Sequence, residues 1–416
     1  MSCDRQVKVV SMADRVLIFS LYATAFCLPL SIAAVETFIF LAVLAFIVKK
    51  MLRPDFGFLR DRAHFFLLLF FVFSAFSLVN SGVNMHKSLN ALFFKWGEYI
   101  LLFFVVQDTL SDPRRIRNTV FVLLASAALV ALDCASQYFF SWEFVRGKVV
   151  FAIDGTMKAI TGPFKHYNSL AAYLVCTLTL ILSILTVASG SFLKDALRGK
   201  KRQGGLILLG LVLACALLLT FSRGAWTGLT GALLLMLLLS RQLKLMVSQV
   251  VIFSFVLFNP VIRDRAFSIF HDGADTGRFG FWSAAAGMIH DHPWLGTGIG
   301  TFMSNFAQYG KVPGIWYAHN CYLQIWAETG IFALISFLAF LFLIFQRGFA
   351  AFGKTRDGVV LGLVCALFGY AVHAFFDNHL YSVQLAVLFW FMAGLVAAAS
   401  RLALQEGKGA VDADRV

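Results

Sequence analysis

Charge is scarce in this sequence. Only 14% of its 416 residues are Asp, Glu, Lys or Arg, where an ordinary soluble domain carries about 25%. With 60% hydrophobic residues and a mean hydropathy of +0.80, too little polar surface remains to cover one core in water. Other things are missing too. No GxxxxGK[ST] pattern occurs, which argues against a phosphate-cradling ATP site. The seven cysteines lie scattered, mostly in apolar runs, with no CxxC or metal spacing, so they read as small hydrophobic residues. The loops assigned below to the outer side lack HExxH, DxD or a histidine–carboxylate cluster; Asp272 and Asp275 are too slight a signal, so neither a metal nor another cofactor is expected. No internal repeat is evident.

What the sequence has is apolar runs of about 20 residues, the length that crosses a bilayer. The expected fold is an all-α integral membrane protein of about twelve transmembrane helices, at 13–32, 34–49, 64–82, 89–107, 116–140, 168–189, 205–221, 224–240, 243–259, 321–346, 358–376 and 383–405. The charged N-terminus before the first run resembles a signal peptide, but the run is long and a second follows at once, so it reads as a retained helix. The whole of 1–416 is expected to be one polytopic membrane domain. Its net charge of +13 does not call for nucleic acid. Most of the 35 Lys and Arg residues gather in alternate short loops and at both termini, which by the positive-inside rule puts those parts in the cytoplasm. The two long loops, 141–167 and 260–320, then face outward, and membrane lipids surround the rest. In a bacterial inner membrane, outward is the periplasm. Aromatic residues in these loops suit an interfacial belt or a sugar-stacking surface.

The stretch from His271 to Gly330 is the longest that is not simply apolar. A helix is expected from about Arg278 to His290, capped by Asp275 or Thr276 and ended by Pro293 and the glycines at 296, 298 and 300. Its apolar face could lie on the membrane surface. Arg223, in TFSRGAWTG, stands at the outer ends of two spans. It either snorkels to the interface or offers its planar donor fork to a phosphate. Arg278 opens the expected helix, whose N-terminal field favours an anion; it could also be solvated or pair with Asp275. Arg265 follows Pro260 just outside a span, facing solvent, a lipid head group or substrate. His319 and Asn320 sit at the mouth of the tenth span, with Glu328 deeper in it. A neutral imidazole there can accept a proton from an attacking hydroxyl. A carboxylate within a span is costly unless partnered. Lys165, His166 and Asn168 enter the sixth span from outside, adding to the same cavity or only capping that helix. Asp377 lies in the last outer turn. Lys95 and Glu98, three residues apart in the fourth span, read as an ion pair on one helix face, or else as part of a transport path.

Four pieces, GPFKHYNSLAAYL, SRGAWTG, GRFGFW with HPWLGTGIGTF, and HNCYLQIWAETG, occur in the order and topological placement of the O-antigen ligase and polymerase superfamily, which the chain resembles over roughly residues 15–400. The resemblance implies a GT-C-like membrane glycosyltransferase with a large helical periplasmic loop between helices 9 and 10. It implies His319, Arg223 and Arg278 as the central residues, no metal, and Asp377 as a weaker match to an acidic residue. Arg265, Lys165, His166, Asn168, Asn320, Glu328 and Asp377 are then candidates for substrate binding. The expected donor is an undecaprenyl-diphosphate-linked glycan and the expected acceptor is lipid A–core. A polymerase joining lipid-linked repeat units is the alternative, and a lipid-linked sugar transporter a further one.

Overall fold

The computed structural model describes residues 3–57, 61–147, 151–153, 157–187, 192–193, 199–242, 258, 260, 263–264, 276–310, 313–314 and 316–413. Their helices are α1 (Cys3–Cys27), α2 (Ile32–Leu52), α3 (Arg62–Phe76), α4 (Gly82–Thr109), α5 (Pro113–Phe140), α6 (Tyr167–Thr186), α7 (Lys200–Leu219) and α8 (Arg223–Ser240). There follow α9 (Thr276–Asp291), α10 (Phe302–Tyr309), α11 (Cys321–Thr355), α12 (Gly358–His373) and α13 (Val383–Ala413). A hairpin of β1 (Phe151–Ile153) and β2 (Met157–Ala159), with Phe151 opposite Ala159, interrupts this all-α chain between α5 and α6. Ten of the described helices, α1 to α8, α11 and α13, are long and apolar enough to cross a membrane. With the shorter apolar α12 they account for eleven of the expected twelve spans. The span expected at 243–259 falls almost wholly outside the described residues.

Polar residues start the helices. Asp61, Asp112 and Asp357 cap α3, α5 and α12 by accepting from first-turn amides, and Pro113 fills the first helical position of α5, where a missing N–H costs nothing. At the opposite end Ser31, His166 and Asn320 cap α2, α6 and α11. The first end is basic and cross-linked. Asp14 pairs with Lys49 at 2.7 Å and Arg115 at 2.6 Å, Lys50 pairs with Asp108 at 2.9 Å, and Asp61 pairs with Arg347. Many apolar side chains, among them Phe40, Leu208, Leu238 and Phe342, point outward, as lipid-facing residues must.

α12 packs against α6, α8, α11 and α13 and is almost wholly buried. Its contact with α8 depends on glycine. A Cβ on Gly228 would meet the Gly369 carbonyl oxygen at 2.6 Å, so the two backbones touch. Lys95 and Glu98 form no ion pair. The chain makes a π-helical turn at Leu92–Gly97, and its wider winding carries the two side chains further apart than an α-helix would.

Candidate active site

α11 is kinked. Gly330 has φ +81° and ψ 173°, outside helical values and open to glycine alone. The kink frees carbonyls that a straight helix would use, and the Gly-rich segment after α9 takes them. Thr297 N–H donates to Ala327 O and Gly298 N–H to Glu328 O, both at 2.9 Å, while Ile331 N–H donates to Pro293 O at 3.1 Å. Glu328 completes the joint. Its carboxylate accepts from Gly300 N–H at 2.9 Å, Phe302 N–H at 3.1 Å and Gln324 Nε2 at 3.1 Å. The buried carboxylate in this span therefore clamps the Gly-rich turn to α11. α9 and α10 then rest on α11 through Ala284, Ala285, Met288, Phe302 and Phe306. The apolar face of α9 covers protein.

This joint holds the start of α11 still. Asn320 is buried, and its side chain accepts from Tyr322 N–H and Leu323 N–H as the helix cap. His319, one residue earlier, has φ +48°. That left-handed backbone is uncommon for a residue with a Cβ. It turns the imidazole toward the loop between α12 and α13, where His319 Nδ1 lies 3.1 Å from Asp377 Oδ1. The loop is fastened to α11 by Cys321 N–H to Ala374 O at 2.9 Å and Cys321 Sγ to Asp377 O at 3.2 Å. Asn378 donates to Gln324 Oε1 across the same gap. Phe281 of α9 lies against the His319 ring, with centroids 5.3 Å apart.

Beside a carboxylate, a neutral His319 keeps its proton on Nδ1. Nε2 is then the acceptor. Burial works to raise the Asp377 carboxyl, but the His319 hydrogen bond and the charges of His379, His319 and His373 outweigh it and hold the group well below the usual carboxylate range. Burial lowers His379 to about 4, with Asp377 opposing and His319 assisting. Burial also lowers His166, on which Asp377 and His319 act in turn. These groups share one electrostatic neighbourhood. His373 belongs to it as well, with its ring 4.1 Å from that of His379. His373 ends an apolar helix, which gives no sequence signal for it.

Arg223 is the first residue of α8. A Cβ on the next residue, Gly224, would meet Phe376 Cβ at 2.8 Å and His373 Cδ2 at 3.0 Å, so α8 starts directly against the Asp377 loop. Arg278 lies half-buried in the first turn of α9, close enough for its charge to act on His373. His166 accepts from Asn168 N–H at 3.2 Å as the cap of α6, and Lys165 beside it is exposed. The structure thus brings His319, Asp377, His166, Arg223 and Arg278 to one end of the helices. Asn320 and Glu328 are turned into the protein. Arg265 and Asp275 lie outside the described residues.

Such an end can draw a proton from a hydroxyl at His319 Nε2 while two guanidinium groups and two helix N-termini bind a polyanion. Residues 208–338 match the O-antigen ligase family. The match takes in Arg223, Arg278, His319 and the whole joint between α11 and the Gly-rich turn, and it ends before Asp377. No curated protein matches the chain.

Proposed function

We propose, for a chain that belongs to the O-antigen ligase and polymerase superfamily, that it transfers an O-antigen glycan from undecaprenyl diphosphate to a sugar hydroxyl of lipid A–core, on the periplasmic face of the bacterial inner membrane. The observation that carries this reading is the His319–Asp377 pair, 3.1 Å apart and backed by the fastening of the Asp377 loop to α11. Asp377 orients His319 and stabilises the imidazolium that forms. His319 Nε2 takes the proton of the acceptor hydroxyl as its oxygen attacks the anomeric carbon. The bond from that carbon to the diphosphate oxygen breaks, and its electron pair leaves with undecaprenyl diphosphate. Arg223 and Arg278 neutralise the charge that develops there. A single displacement inverts the anomeric configuration. The donor bond is already activated, so no nucleotide is needed. Lys165 and His166 border the same space, on the side where α6 begins. The site makes no use of a metal in this reading.

The test uses purified protein, an undecaprenyl-diphosphate oligosaccharide, and EDTA, with and without lipid A–core. Wild type should give a product only with lipid A–core, and His319→Ala should give none. A ladder of longer lipid-linked glycan without lipid A–core would assign the same machinery to a polymerase. Full activity in His319→Ala would remove the base from the mechanism.

A further inference from the structure

A cavity lies between α4, the start of α10 and the loop before α13. Its walls include Lys95, Trp96, Gly300, Tyr317, Glu328 and Tyr381. The two segments that hold the catalytic pair also build this cavity: Tyr317 is two residues before His319, and Tyr381 is four after Asp377. The rings of Tyr317 and Tyr381 lie 6.2 Å apart, and Trp96 meets Tyr381 edge-on at 5.7 Å. The π-helical turn Leu92–Gly97 supplies both Lys95 and Trp96. Turns of this kind recur at functional sites.

The polar groups on these walls are unequally committed. Glu328 is occupied by Gly300, Phe302 and Gln324. Lys95 is exposed and has no carboxylate partner among the described residues. The cavity therefore presents aromatic faces and edges with one uncommitted ammonium. Aromatic rings suit the apolar C–H face of a pyranose, and the ammonium suits a carboxylate or phosphate on it. Neither Arg223 nor Arg278 is among its lining residues.

We infer that this cavity is a subsite for an anionic sugar of the acceptor, stacked on Tyr317 and Tyr381, with Trp96 backing Tyr381, and held through its acidic group by Lys95. The inference rests on the transferase reading for the word acceptor, but the binding it requires does not depend on turnover.

The test is therefore a binding titration without donor. Full-length protein in nanodiscs of zwitterionic lipid is titrated with lipid-free lipopolysaccharide core oligosaccharide, with binding followed by calorimetry. The oligosaccharide is used intact, dephosphorylated, carboxyl-reduced, and with both treatments. Lys95→Gln should weaken binding of the intact form about tenfold, as expected for one charged contact, and Lys95→Arg should stay within about threefold of wild type. The doubly neutralised form should bind wild type no better than the intact form binds Lys95→Gln, and the singly treated forms tell which acid is read. Equal binding of intact and neutral forms, or no effect of Lys95→Gln, would overturn the subsite. So would nanodiscs containing phosphatidylglycerol that block the oligosaccharide in a Lys95-dependent way, since the cavity would then hold a lipid head group. Binding as expected from a protein that transfers no glycan would leave the subsite standing and remove the function proposed above.

Discussion

The orientation of one imidazole decides what His319 can do. With Asp377 Oδ1 at 3.1 Å from Nδ1, the ring presents Nε2 as an acceptor. Replacing Asp377 by Asn keeps size and shape. The new amide can donate to Nδ1, however, and that leaves the ring proton on Nε2, where an acceptor hydroxyl has to be deprotonated. Asp377→Asn should lower kcat on the order of 10³- to 10⁴-fold, the scale seen when an orienting carboxylate is neutralised in a hydroxyl-activating triad, with the donor KM changed by only a few-fold. Steady-state transfer assays would show this, and a loss smaller than about tenfold would mean that Asp377 does not orient the base. A neighbour sets a second expectation. His379 titrates at about 4 in the folded protein, against roughly 6.5 in an unfolded chain. Between those values the unfolded chain binds a proton that the folded protein refuses, so stability falls as pH drops through that window. Asp377 adds nothing there, because its contribution is lost only below the ordinary carboxylate range. The heat-inactivation midpoint in detergent should fall less between pH 7 and 5 in His379→Gln than in wild type. Equal pH dependence of the two proteins would mean that His379 does not titrate in that window.

At the scale of elements, the joint between α11 and the turn at 293–300 sets the position of His319. A Cβ on Gly330 would come within 1.9 Å of Trp294 O, on a backbone of φ +81°. Gly330→Ala must either straighten α11 or push the Gly-rich turn away, breaking the bonds from Thr297, Gly298 and Ile331. The cost should be roughly 3 kcal/mol or more, from strain and lost hydrogen bonds together. Gly353→Ala in the same helix meets nothing within 4 Å and should be neutral or slightly stabilising. Thermal denaturation followed by size-exclusion profile separates the two variants, and equal stability would mean that the kink does not need glycine. Sequence patterns reach only part of this arrangement. Apolar runs make most helices legible, since that signal is local. The pairing of His319 with Asp377 spans 58 residues, and the clamp from Glu328 to Gly300 spans 28. No periodicity encodes such distances. Glu328 and Asn320, candidates for substrate binding by sequence, clamp a turn and cap a helix respectively. Lys95 and Glu98 do not pair for a different reason: a π-helical turn replaces α-helical spacing between them.

For the whole molecule, the two ends differ in charge. At one end Asp14, Asp61 and Asp108 tie down Lys49, Arg115, Arg347 and Lys50, which joins α1, α2, α3, α4, α5 and α11 through partly buried pairs. Such pairs lose more when one partner is removed than exposed ones do. The other end gathers His166, Arg223, Arg278, His319 and Asp377. Orientation follows from the same asymmetry, because lysine and arginine resist translocation. Arg202, just inside the start of α7, should face the cytoplasm, and Lys165, just before α6, the periplasm. With the native cysteines replaced by alanine, Lys165→Cys should react with a membrane-impermeant maleimide in cells whose outer membrane alone is permeabilised. Arg202→Cys should react only after the inner membrane is broken. The reverse pattern would put His319 in the cytoplasm, away from any lipid-linked glycan already carried outward, and periplasmic transfer to lipid A–core would fall with it.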